Sequence, residues 1–183
     1  ILENSLAMRL FSEDVVPSGK GAFLMGCSLC ECLGVITAMG CLLHTGETIE
    51  LAPEENSDAF MAIIQRKKIT HMLGSSDLFR SFLENSRSIN YDLKSLKYCL
   101  TGGESLSKGI ADGWRNKFGR NLYSTYTLAE TCGSVACCPA VDDLPVGSSG
   151  KVLPGKNVKL VDQDTKEEIA DGRPGEVLVS SEN

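Results

Sequence analysis

Basic residues are too few here for a polyanion partner. Against 24 aspartates and glutamates stand 18 lysines and arginines, for a net charge of −6 and a pI near 5.0. Nucleic-acid binders concentrate Lys and Arg, so that class is disfavoured. No apolar run reaches the roughly 20 residues a membrane-spanning helix needs. No charged-then-apolar opening marks a signal peptide either. The chain starts at Ile1 without a methionine, so it is expected to be a fragment whose own targeting segment lies out of view. Histidine is scarce, with only His44 and His71. The first ends a helical pattern and the second alternates into a strand, so both are expected to be structural rather than catalytic. There is no internal repeat and no low-complexity tract.

What is present is the composition of an ordinary globular chain: 183 residues, 42% hydrophobic and 23% charged, enough for one full core and a smaller lobe. Eight cysteines could suggest a disulfide framework, but that solution belongs to small secreted chains without a core. Cys27, Cys30 and Cys32 have C-x-x-C-x-C spacing, and Cys137 and Cys138 are adjacent. A structural zinc would need its remaining ligands from far along the chain. Because most of these residues sit in apolar runs, buried reduced thiols are the expectation, and with them an intracellular, cytoplasmic setting.

The periodicity predicts helix and strand in alternation. A helix face over Ile1–Phe11 is followed by a strand near Ala22–Met25. Then comes a helix over Glu31–His44, apolar on nearly every side and so expected to be buried, and a strand at Thr48–Leu51. Ser57–Lys68 is the best local helix, with Glu54, Glu55 and Asp58 near its start and Arg66, Lys67 and Lys68 at its end, the order that complements the helix dipole. Ile69–Leu73 reads as a strand, and Asp77 as the cap of a helix through Leu83. This alternation predicts an α/β fold, layered, with a mostly parallel sheet and helices on both faces. Beyond Pro139 the pattern turns to β, with strands at Val158–Val161 and Glu176–Val179 and a linker marked by Pro145, Gly147, Gly150, Pro154 and Gly155. Residues 1–138 are therefore read as an α/β subdomain and 139–183 as a smaller β-rich lobe.

The organising stretch is Leu96–Gly133. A strand ending at Leu100 runs into Thr101-Gly102-Gly103-Glu104-Ser105. A helix follows over Leu106–Phe118, capped by Ser105 or Ser107 and ended by Gly119. A second strand over Asn121–Tyr126 then empties into Thr127-Leu128-Ala129-Glu130. Strand, helix and strand of this length make a right-handed parallel crossover, so both loops should emerge at the carboxyl edge of the sheet, where open α/β sheets bind ligands. There the chain offers a Gly-Gly backbone, an aromatic face at Tyr126 and a carboxylate at Glu130. On residues alone the plainer reading is a turn, a packed tyrosine and a solvated glutamate. A nucleotide site is the sharper one.

The ordered motifs resemble the adenylate-forming family of acyl-CoA synthetases, aryl-CoA ligases, luciferases and nonribosomal adenylation domains. Thr101–Leu106 is similar to the family's Gly-Gly adenine turn, and Tyr126–Glu130 to its Tyr-Gly-x-Thr-Glu motif. Gly147–Gly155, Val158–Asp162 and Gly172–Val179 are similar to the stretch that follows. The resemblance implies that Gly102, Gly103, Glu104 and Ser105 line one face of adenine while Tyr126 stacks on the other. Ser124 and Thr125 would line the adjoining acyl-adenylate pocket, Thr127 and Ala129 would border the nucleotide, and Glu130 would hold Mg²⁺. Thr127 replaces the motif's glycine and Ala129 its threonine. Glu31, in the substrate pocket, stands where the family often has histidine. The implied chemistry is ATP-dependent activation of a small-molecule carboxylate, with CoA or a carrier protein taking the acyl group. The phosphate loop is expected before Ile1, and the ribose motif and the small lysine-bearing domain after Asn183, so no catalytic residue is expected within these residues. A catalytically incomplete nucleotide-binding remnant and an amino-acid adenylation domain are the alternatives.

Overall fold

The structure, a computed structural model, describes residues 11–17, 19–39, 45–52, 56–140, 145–169 and 172–181. The helix expected from Ile1, its counterpart's end at His44, and Glu54 and Glu55 lie outside them.

Strands β1 (Ala22–Gly26), β2 (Thr48–Leu51), β3 (His71–Gly74), β4 (Tyr98–Gly102) and β5 (Tyr123–Leu128) are joined through helices α1 (Cys32–Met39), α2 (Ser57–Lys67), α3 (Ser76–Glu84) and α4 (Lys108–Phe118). They pair in parallel in the order β2-β1-β3-β4-β5. Two antiparallel strands complete a seven-stranded sheet: β6 (Gly133–Cys137) on β5 and β7 (Lys151–Val152) on β6. The expected layered, mostly parallel α/β fold is the observed one. Strands β8 (Lys156–Val161) and β9 (Glu176–Ser181) form a separate antiparallel pair, with Lys156 opposite Ser181 and Val161 opposite Glu176.

Side-chain alternation along each strand divides the core in two. Leu24, Met72 and Cys99 face Phe60, Ile64, Phe79, Phe82 and Trp114, which come from α2, α3 and α4. Their neighbours Met25, Leu73, Tyr98 and Leu100 face Leu33 of α1 on the opposite side. Trp114 is fully buried and meets Phe79 edge-on, with ring centroids 4.9 Å apart. Helix α1 is less enclosed than its composition suggested. Val35 is 41% exposed, because one sheet face and the flank of β6 cover only part of its circumference.

Local chemistry sets the helix ends. The Asn56 side chain accepts from Ala59 N at 2.8 Å to start α2, and Lys68 closes it in the left-handed region. The cap of α3 is Ser75, whose Oγ accepts from Leu78 N, and not Asp77, which pairs instead with Arg80. A residue before the first turn can reach the free amides, whereas Asp77 is already inside that turn. Of the two serines considered for α4, Ser107 is the cap, and Gly119 ends the helix at φ +67°.

Strand β6, like the short β7, is an element that the sequence pattern did not reveal. Its residues Gly-Ser-Val-Ala-Cys have weak strand character, and pairing with β5 defines it. Lys117 was equally silent in the sequence. Its Nζ donates to the carbonyls of Phe82, Leu83 and Asn85 at 3.0, 2.7 and 3.1 Å, closing the carboxyl end of α3. Lys117→Met keeps the stem and removes these donors. It is expected to lower stability by roughly 1–2 kcal/mol in a urea titration, and an unchanged midpoint would show the three contacts to be idle.

Candidate functional site

Three neighbouring parallel strands end in glycine at one sheet edge: Gly26, Gly74 and Gly102. A Cβ on Gly26 would stand 2.3 Å from Leu78 Cδ2, and one on Gly102 would stand 2.5 Å from Leu33 Cδ2 and 2.9 Å from Thr125 Cγ2. Helices on the two faces lean so close over the strand tips that only backbone fits between them. The result is a cleft of about 750 Å³ floored by Gly26, Gly74, Gly102 and Gly103. The shared terminal glycine of Ala-Phe-Leu-Met-Gly, His-Met-Leu-Gly and Tyr-Cys-Leu-Thr-Gly was the available signal for Gly26 and Gly74, which the motif reading passed over.

Of the residues expected at a site, Glu31, Gly102, Gly103, Thr127 and Ala129 line this one cleft. Gly103 has φ +87°, and an added Cβ there would meet nothing within 4 Å, so its peptide plane is open to approach. Strands β4 and β5 are in register at Gly102 and Thr125. Gly103 and Tyr126 therefore follow side by side at the same edge. Tyr126 is half-buried and lies on the strand between Thr125 and Thr127, so alternation turns its ring to the face opposite theirs.

Of the remaining residues, Glu104, Ser124 and Thr125 have side-chain polar atoms committed within the fold, whereas among the described residues Ser105 and Glu130 do not. Glu104 Oε1 accepts from Ser76 N at 2.8 Å, placing a carboxylate at the positive end of α3 beside the cleft. Thr125 is buried, and its hydroxyl donates to Ala136 O at 2.8 Å. Ser124 donates to Ser148 O at 2.7 Å and borders a separate cavity of about 300 Å³ under α4. Ser105 is exposed on the turn. Glu130 is exposed in the short 3₁₀ turn Ala129–Thr131, directly after the cleft residue Ala129. Its carboxylate makes no hydrogen bond or ion pair with the described residues. Lys156 Nζ donates to Thr131 O at 3.2 Å, tying this turn to β8.

Among the described residues, Glu31 and Asp77 are the charged side chains of the cleft lining. The expectation of buried thiols holds for Cys99, Cys137 and Cys138 but not for Cys30 and Cys132, which are exposed, since both sit in turns rather than in strands. Burial pushes the Cys99 and Cys137 thiols up to about 12. Among the described residues no cluster of His, Cys, Asp or Glu could hold a metal ion by itself. A single free carboxylate such as Glu130 still suits Mg²⁺, which keeps several waters and takes one or two protein oxygens alongside substrate phosphates. No helix among the described residues is long and apolar enough to cross a membrane. His71 is buried and stacked on Phe23 at 4.1 Å, consistent with a structural role.

Comparison with known proteins gives a consistent answer. Residues 4–183 match the AMP-binding enzyme family. Luciferin 4-monooxygenase of Nipponoluciola cruciata is 32% identical over 148 residues, 80% of this chain and 26% of that protein. The long-chain-fatty-acid–CoA ligase of Salmonella typhimurium is 29% identical over 144 residues, 77% of this chain and 26% of the ligase. The crystal structure of the anthranilate CoA ligase AuaEII in complex with anthranoyl-AMP superposes with a TM-score of 0.85 at 21% identity, covering 98% of this chain and 35% of that one. The chain thus spans about a quarter of the length of these curated relatives.

Proposed function

This chain belongs to the AMP-binding enzyme family, and from that premise we propose that it is the central part of an ATP-dependent ligase that activates a carboxylate as its acyl-adenylate. A carboxylate oxygen attacks the α-phosphorus of ATP, pyrophosphate leaves, and the thiol of CoA then takes the acyl group. The observation that supports this reading is the register of β4 on β5, which brings Gly103 and Tyr126 to the same sheet edge, Gly103 with Thr127 and Ala129 in the cleft lining and Tyr126 outside it. In this reading a purine lies against the bare peptide plane of Gly103, with Tyr126 at the same strand tips.

In this reading Gly102 and Gly103 admit the base, Glu104 anchors their turn on α3, and Ser124 and Thr125 hold β5 in place through their buried hydrogen bonds. Thr127 and Ala129 border the nucleotide and Glu31 the carboxylate substrate. Glu130 would hold Mg²⁺, and the ion would supply neutralisation of phosphate charge.

The test is carboxylate-dependent ATP–pyrophosphate exchange by the full-length protein across fatty, aryl and amino acids. Exchange with one class supports the proposal; folded protein that exchanges with none removes it. Tyr126→Ala is expected to weaken AMP binding roughly 10- to 100-fold by calorimetry, the worth of one base-stacking contact, while Tyr126→Phe stays within a few-fold. If both variants bind like the parent, the ring has no part in holding the base.

A further inference from the structure

A second hollow lies at the opposite edge of the sheet. Leu93 and Leu96, which lead into β4, and Phe118 and Arg120, which lead from α4 toward β5, enclose about 290 Å³ together with the 3₁₀ turn Ser86–Asn90. Because β4 and β5 run parallel, the hollow sits at their amino ends, and its lining shares no residue with the glycine-floored cleft. Its volume is at the low end of small-molecule sites, which run upward from about 300 Å³. The walls are apolar and one lip is too: Ile89 lines the hollow yet is 88% exposed.

Among the described residues of this lining stand three cations, Lys94, Lys117 and Arg120, and no carboxylate. Two of them are fixed in place by neutral partners. Arg120 Nη1 donates to Leu93 O and Leu96 O, and Lys117 Nζ to the carbonyls that end α3. Carbonyls at a helix end orient a cation and offset only part of its charge. Burial alone lowers the Lys117 ammonium from its ordinary value, with no carboxylate contributing. The acids around the hollow are engaged elsewhere: Asp92, which also feels Lys94, pairs with Lys68, and Asp58, which accepts from the Tyr91 hydroxyl, pairs with Arg87. Glu84 is exposed at the end of α3. Among the described residues no carboxylate forms an ion pair with any of the three cations, and the Nε–Nη2 edge of Arg120 has no partner.

We propose that this hollow binds a small organic carboxylate with an apolar body, its two oxygens on the open edge of Arg120 and its tail against Phe118 and Ile89. A guanidinium edge matches the paired oxygens of a carboxylate. The apolar walls favour a tail, which inorganic phosphate lacks. The site is separated from the nucleotide cleft by the length of β4, five residues or roughly 15 Å. It stands on its own cations and walls, independently of the ligase reading.

The test is calorimetric titration of the full-length protein, without nucleotide, with octanoate, octanamide and inorganic phosphate. Octanoate is expected to bind with a Kd of about 0.1–1 mM, the usual reach of a ligand of its size. It should bind about tenfold more tightly than octanamide, the worth of a charge-assisted contact. Ile89→Asp and Lys94→Glu each change an exposed side chain, so thermal unfolding should stay within a degree or two of the parent. Each is expected to weaken octanoate binding about fivefold or more, by loss of the apolar lip or by repulsion. Parent affinity in either variant overturns the proposal, since octanoate would then be seated elsewhere, the carboxyl-edge cleft included. Octanamide or phosphate binding as tightly as octanoate overturns it too, as does the absence of saturable octanoate binding. Because ATP takes no part, none of these outcomes bears on the pyrophosphate-exchange test of the ligase.

Discussion

Glu130→Ala is expected to lower the proposed carboxylate-dependent ATP–pyrophosphate exchange of the full-length protein by roughly 100- to 1000-fold, the usual cost of removing one well-placed electrostatic partner from a phosphate-transfer centre. The size of the effect follows from what the carboxylate does not do in the fold. It is exposed, and no described residue hydrogen-bonds to it or pairs with it, so nothing structural depends on it and its charge is available to a cation. Thermal unfolding of the variant should therefore match the parent within a degree or two, while the Mg²⁺ concentration that supports half-maximal exchange rises. The turn that carries Glu130 is held by other groups: Cys132 N donates to Ala129 O at 3.0 Å, and Lys156 Nζ reaches Thr131 O. An exchange rate and Mg²⁺ dependence both unchanged in Glu130→Ala would take the metal-holding role away from this residue.

Gly150→Ala is expected to destabilise the protein by about 2–5 kcal/mol, or to prevent its folding. Two costs add. Gly150 has φ +82°, a left-handed backbone that a Cβ disfavours by about 1–2 kcal/mol. The new Cβ would also stand 2.2 Å from Cys137 O and 2.4 Å from Cys138 Cα, a collision with backbone that cannot rotate away, and overpacking costs about 1–3 kcal/mol. Gly147→Ala is the control. Its φ is also positive, at +90°, but an added Cβ there meets nothing within 4 Å, so it should lose only the conformational part. Equal urea midpoints for the two variants would mean that the contact with β6 carries no weight.

The contrast between these glycines shows where sequence reading stops. Pro145, Gly147 and Gly150 have the composition of a linker, yet Ser148 O accepts from Ser124 Oγ and Gly150 is pressed against the end of β6. Composition reports what a backbone can do, not what lies next to it. The alternation of β1 through α4 was legible, since periodicity of apolar residues within one element needs no partner. Strand β6 was not, because Gly133–Cys137 becomes a strand only through its ladder to β5, where Val135 is left over between the Tyr126–Ala136 and Thr127–Ser134 pairs. Among the site residues, the Gly102–Gly103 turn and the Tyr126–Glu130 run could be located from their order along the chain. That Glu104 would accept from the first amide of α3, and that Thr125 would spend its hydroxyl on β6, could not.

The amino-acid sequence by itself determined the layered α/β class, the parallel order of helix and strand, and the segment that must reach the sheet's carboxyl edge, because these follow from hydrophobic period, caps and connection length. Tertiary structure alone decided which of those edge residues share the cleft, which are tied into the frame, and that Cys30 rather than Cys27 faces solvent. Those outcomes depend on contacts between residues far apart in the chain, and such contacts exist only once both sheet faces have closed around the core.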